Sequence, residues 1–92
     1  MKIEEALMRA GEELQKRTAE PLRRQELIER AVQLCGADQG SVCPADYCYN
    51  RENKMHDTRS TKRIFLFVSD GEYFYVGDSL NWVGKVERKP RT

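Results

Sequence analysis

No run in this 92-residue chain approaches the ~18 consecutive apolar residues of a membrane-spanning helix, so no membrane partner is expected. The start, MKIEEALMRAGEEL, is charged where an exported chain would carry an apolar stretch; a cytoplasmic location follows as the expectation. The three cysteines are an odd number and form no C-x-x-C pair, which fits free thiols in a reducing compartment. There is no glycine-rich phosphate loop, no H-E-x-x-H and no G-x-S-x-G. Asp46, Asp57, Asp70 and Asp78 fall on separate turns and suggest no paired-carboxylate site. An enzyme is therefore not expected, nor a cofactor, a bound metal or a small-molecule substrate. The net charge of +1 excludes a uniformly basic protein that coats nucleic acid but leaves room for local patches.

What is present is a short charged chain with room for one modest core. Charged residues make up 34% and apolar residues 39%, so the core must be economical. The charge is unevenly spread. Residues 51–63 hold Arg51, Lys54, Arg59, Lys62 and Arg63 against Glu52 and Asp57, a net of +3. The end of the chain holds Lys85, Arg88, Lys89 and Arg91 against Glu87, again +3. Residues 64–80 between them carry only Asp70, Glu72 and Asp78.

Residues 2–18 read as an amphipathic helix whose stripe is Ile3, Leu7, Ala10 and Leu14; its narrowness predicts docking at the edge of the core. Pro21 stops that helix and is expected to open a second, running to Cys35 and ended by Gly36. The second stripe is the Arg24 stem, Leu27 or Ile28, Ala31, Val32 and Cys35. Ser41-Val42-Cys43 reads as a very short strand, and Pro44-Ala45-Asp46 as the first turn of a short helix carrying Tyr47, Cys48 and Tyr49. Residues 51–62, with Met55 alone apolar, read as a loop. Ile64 to Gly77 is a hairpin: IFLFV and YFYV surround Asp70-Gly71, a preferred two-residue turn. That turn predicts Phe65 opposite Val76 and Phe67 opposite Phe74 on one face, with Leu66 opposite Tyr75 and Val68 opposite Tyr73 on the other. Both faces are apolar, and Trp82 and Val83 are the natural internal cover for the second. The expected domains are an N-terminal helix at 1–19, a core at 20–84 and a basic tail at 85–92.

Helix, short strand, short helix, polar segment and hairpin in that order resemble a winged-helix domain, in which the hairpin is the wing. Gly40-Ser41-Val42, Pro44, the run Asp46-Tyr47-Cys48-Tyr49-Asn50-Arg51, Asn53-Lys54 and the hairpin end Tyr75-Val76-Gly77 also resemble a family of small bacterial and phage domains. That likeness covers roughly residues 27–77, and it implies no particular chemistry. The fold class expected is α+β, a small winged-helix-like domain of two to three helices with a C-terminal hairpin or small antiparallel sheet. Two departures stand out: the place of a recognition helix holds the polar 51–62 segment, and the wing tip is acidic.

Two sites follow. The first is a DNA-binding set of Asn50, Arg51, Asn53, Lys54, Arg59, Lys62 and Arg63, in which cations alternate with short polar side chains suited to phosphates and base edges. The second is a protein-binding face of Leu66, Tyr73, Tyr75 and Trp82, serving an inhibitor or adaptor of phage or host-defence type, or self-association. Cys35, Cys43, Cys48 and His56 lack zinc-knuckle spacing, and buried small hydrophobes are the better account of Cys35 and Cys48. Cys43 before a helix N-terminus would have a lowered pKa, but no partner base accompanies it.

Overall fold

The computed structural model describes residues 1–53, 62–80 and 87–89; for 52, 53 and 87–89 it describes the backbone alone. Helix α1 (Ile3–Gln15) buries Ala6, Leu7, Ala10 and Gly11, with Ile3 and Leu14 half-buried at the ends of the predicted stripe. Three of these side chains are fully shielded and belong to the same core as Leu27, Ile64 and Phe65. The helix assigned to 1–19 thus lies in the core and not at its edge. Gly11 is what allows this close approach. A Cβ there would stand 2.8 Å from Tyr75 Cγ and 3.1 Å from Phe65 Cε1, closer than packed carbon atoms come.

Pro21 does not open the second helix. Leu22–Arg23 forms strand β1, and α2 runs over Arg24–Cys35. The sheet claims Leu22 first: it is buried opposite Tyr73, as β1 pairs antiparallel with β4 (Glu72–Tyr75). Arg24 then starts α2 with its N–H on the Gly71 carbonyl at 2.7 Å, and its side chain is exposed instead of lending its stem to the stripe. Leu27, Ile28 and Ala31 make the buried face, with Val32 and Cys35 half-covered. Gly36 ends α2 in the left-handed conformation (φ 72°), its N–H bonded to Val32 O.

A 3₁₀ turn at Gln39–Ser41 replaces the strand expected at 41–43, although Val42 is buried as foreseen. Pro44 opens a second 3₁₀ turn, Pro44–Tyr47. Strand β2 (Arg51–Asn53) follows where a loop was expected. It pairs in parallel with β5 (Glu87–Lys89), a part of the expected tail.

Strand β3 (Phe65–Ser69) and β4 make the hairpin, with Asp70-Gly71 at the turn, Gly71 at φ 79° and Ser69 opposite Glu72. Beyond that pair the predicted register fails by one residue. An irregularity between Phe67 and Ser69 leaves Val68 without a partner, so Phe67 faces Tyr73, Leu66 faces Phe74 and Phe65 faces Tyr75. One face now collects Phe65, Phe67, Tyr73 and Tyr75, with ring centroids 5.9–6.0 Å apart in edge-on or tilted pairs. The chain is an α+β fold with a three-stranded antiparallel sheet in the order β1-β4-β3.

Candidate functional site

The run Tyr47–Arg51 lies beside β3 as a second, irregular strand. The Ile64 N–H donates to Tyr47 O and the Tyr49 N–H to Phe65 O, each within 2.9 Å, and Cys48 bridges to Phe65. Asn50 continues the contact through its side chain. Its Nδ2 donates to Phe67 O at 2.8 Å, and the Phe67 N–H donates to its Oδ1 at 2.7 Å. The amide thereby closes the free edge of β3 as a peptide group would. The Tyr49 hydroxyl donates to Gly77 O at 2.7 Å and accepts from the Leu80 N–H, clasping the end of the hairpin. Buried Cys48 donates its thiol to Pro44 O at 3.7 Å.

Arg51 is anchored in the same way. Its guanidinium sits 4.0 Å from the Phe67 ring centroid and 3.8 Å from an Asp70 carboxylate oxygen, and its side chain is only 12% exposed. Arg63 is half-buried and donates to Cys48 O at 3.2 Å. Lys62 is exposed; its ammonium lies 3.7 Å from Asp78, and its backbone N–H reaches Glu4. Of the DNA-binding set, then, Asn50, Arg51 and Arg63 serve the frame and Lys62 faces solvent. Lys54 and Arg59 lie outside the described residues, as do Met55, His56 and the side chain of Asn53.

The protein-binding face is also redrawn. The one-residue shift turns Tyr73 into the core, where it is 3% exposed, and lays Tyr75 against Gly11. Leu66 keeps its outward position, now paired with Phe74, and Val68 stands 45% exposed beside them. Trp82 and Val83 lie outside the described residues. A polar residue that the sequence did not single out, Gln15, accepts the Tyr75 N–H at 2.9 Å beyond the end of the two-residue β1. Its place on α1 four residues after the buried Gly11 is the one signal that could have pointed to it.

Burial raises several titrating groups here. The Cys48 thiol is pushed up to about 12, and the Tyr73 phenol likewise to about 12, in each case chiefly by desolvation. Cys43 is raised too, by burial first and Asp46 second, reversing the expectation of an activated thiol at a helix start. Among the described residues no three His, Cys, Asp or Glu side chains gather where a metal could bind, and no helix is long and apolar enough to cross a membrane.

Residues 3–92 match a family described as a domain of unknown function, DUF7225. The uncharacterized protein YnaC of Bacillus subtilis (strain 168) is 30% identical over 67 residues, which are 73% of this chain and 25% of that protein. The chain thus spans about a quarter of this relative's length. No solved structure matches. The family match takes in α1 as well as the hairpin, as the shared core does, and the chain belongs to the DUF7225 family.

Proposed function

We propose that the chain is a small non-enzymatic binding module of winged-helix type that holds DNA through its two basic stretches. The observation that carries this reading is the parallel pairing of β2 with β5, which aligns Arg51 with Glu87 and Asn53 with Lys89. Residues 51–53 and 87–89, drawn from two segments of net +3 far apart in the chain, thereby lie side by side. The order α1, β1, α2, then a hairpin whose second strand pairs with β1, supports the winged-helix part. The 51–62 segment, where a recognition helix would be, opens as strand β2, and the hairpin tip is acidic, which favours phosphate contacts over reading of base edges. With Asn50, Arg51 and Arg63 committed to the frame, the phosphate contacts fall to Lys54, Arg59, Lys62 and the cations of 85–92. The free cysteines suit a cytoplasmic site of action.

The test is binding to a short duplex as salt is raised. Exchanging Lys54, Arg59 and Lys62 for glutamate should weaken binding at least ~10-fold and lower the salt slope by about 3. A chain that ignores duplex DNA, single strands and RNA even at low salt overturns the reading. A second reading, an inhibitor or adaptor that grips a protein, is favoured by the outer hairpin face of Leu66, Phe74 and exposed Val68. Replacing Leu66 and Val68 by serine would abolish partner capture in that case and leave DNA binding unchanged.

A further inference from the structure

A groove of about 530 Å³ runs between α1 and α2, walled by Arg9, Glu12, Glu13, Lys16 and Arg17 from the first helix and its last turn, and by Arg30 and Leu34 from the second. Its charges are not evenly committed. Arg30 holds Glu13 with two parallel hydrogen bonds, 2.5 and 3.1 Å long, and turns its remaining nitrogen to Gln33. That bond holds the Glu13 carboxyl below its ordinary range, so the pair stays ionised and mutually satisfied at neutral pH. Glu12 is met by Lys16 at 3.4 Å. Among the described residues Arg9 reaches Glu5 alone, at 3.8 Å with both side chains mostly exposed, and Arg17 is exposed just past the helix end. Arg9 and Arg17 are eight positions apart, about 12 Å along a helix, with the neutralised Glu13–Arg30 pair midway. Half-buried Leu34 and the cationic stems supply apolar ground between them.

We propose that this groove docks an acidic amphipathic helix of a partner protein, its carboxylates two turns apart on Arg9 and Arg17 and an aliphatic side chain between them on Leu34. A nucleic-acid backbone fits less well. It has no aliphatic group to place on Leu34. This surface shares no residue with the basic stretches or with the outer hairpin face, and it stands or falls independently of both.

The probe is a synthetic helical peptide with glutamates at two-turn spacing and leucine between, titrated into the 92-residue chain while backbone amide NMR shifts are followed. Shifts confined to α1 and α2, with at least ~10-fold weaker binding for R9E/R17E, are expected. Both residues are exposed, so circular dichroism of that variant should match the parent, and Leu34→Lys gives a second, charge-increasing variant that must also weaken binding. Absence of binding at low salt, shifts located elsewhere, equal binding of a glutamine-substituted peptide, or displacement of the peptide by duplex DNA would each overturn the proposal.

Discussion

Asn50 uses both ends of its amide on one residue of β3, Phe67, and that commits the side chain to the sheet edge. Asn50→Asp replaces the donor by a carboxylate facing Phe67 O; chemical denaturation should show a loss of about 2–3 kcal/mol, and Asn50→Ala a smaller one. Unchanged stability in both would mean that the amide is not holding the edge. Cys48 gives a pH prediction. Its folded pKa lies above its ordinary value near 9, so the folded state keeps the proton more tightly than the unfolded one. The resulting stability is complete below about 9 and drains away as pH climbs toward about 12, at about 1.4 kcal/mol per pH unit. Alkaline unfolding should therefore begin above pH ~9 and move upward in Cys48→Ala, and a thiol reagent at neutral pH should spare Cys48. The sequence made the polar types of the Tyr47–Arg51 run visible but not their direction. An asparagine suited to a base edge is equally suited to a peptide edge, and an arginine suited to phosphate is equally suited to the face of Phe67.

Among the elements, α1 shows how a small residue fixes a packing distance. Gly11→Ala must drive its methyl into the Tyr75 ring, so the mutant should lose about 1–3 kcal/mol although alanine is the better helix former. A gain in melting temperature would contradict the close approach. The apolar period of α1 and α2 was legible because 3.6-residue spacing survives any tertiary arrangement. The start of α2 was not: proline suits a strand edge as well as a first helical turn, and the claim of the sheet on Leu22 lies fifty residues away in Tyr73. The Asp-Gly turn was legible for its backbone demands. The bulge at Val68 was hidden because IFLFV is apolar on both faces, and such a strand carries no alternation to report a one-residue slip. The same slip exchanged Tyr73 and Tyr75 for Phe74 on the outer face.

At the scale of the molecule, class and single core could be read from size, two helical stripes and one hairpin. The β2–β5 ladder could not, since three-residue strands rich in charge leave no hydrophobic pattern. A chain ending at residue 84 should keep its hairpin and helices by circular dichroism. It should bind DNA more weakly and with a flatter salt dependence, because the second basic stretch is gone. Equal affinity for the shortened chain would remove the tail from the site. The ladder has one more consequence. Its partners are 36 positions apart, whereas the hairpin closes over two residues. Loop closure over that span yields few contacts in return, so in a refolding experiment the hairpin should protect its amides first and Arg51–Asn53 last. In the cell, the same order would leave a chain with its sheet in place while residues 51–53 and 87–89 are still apart.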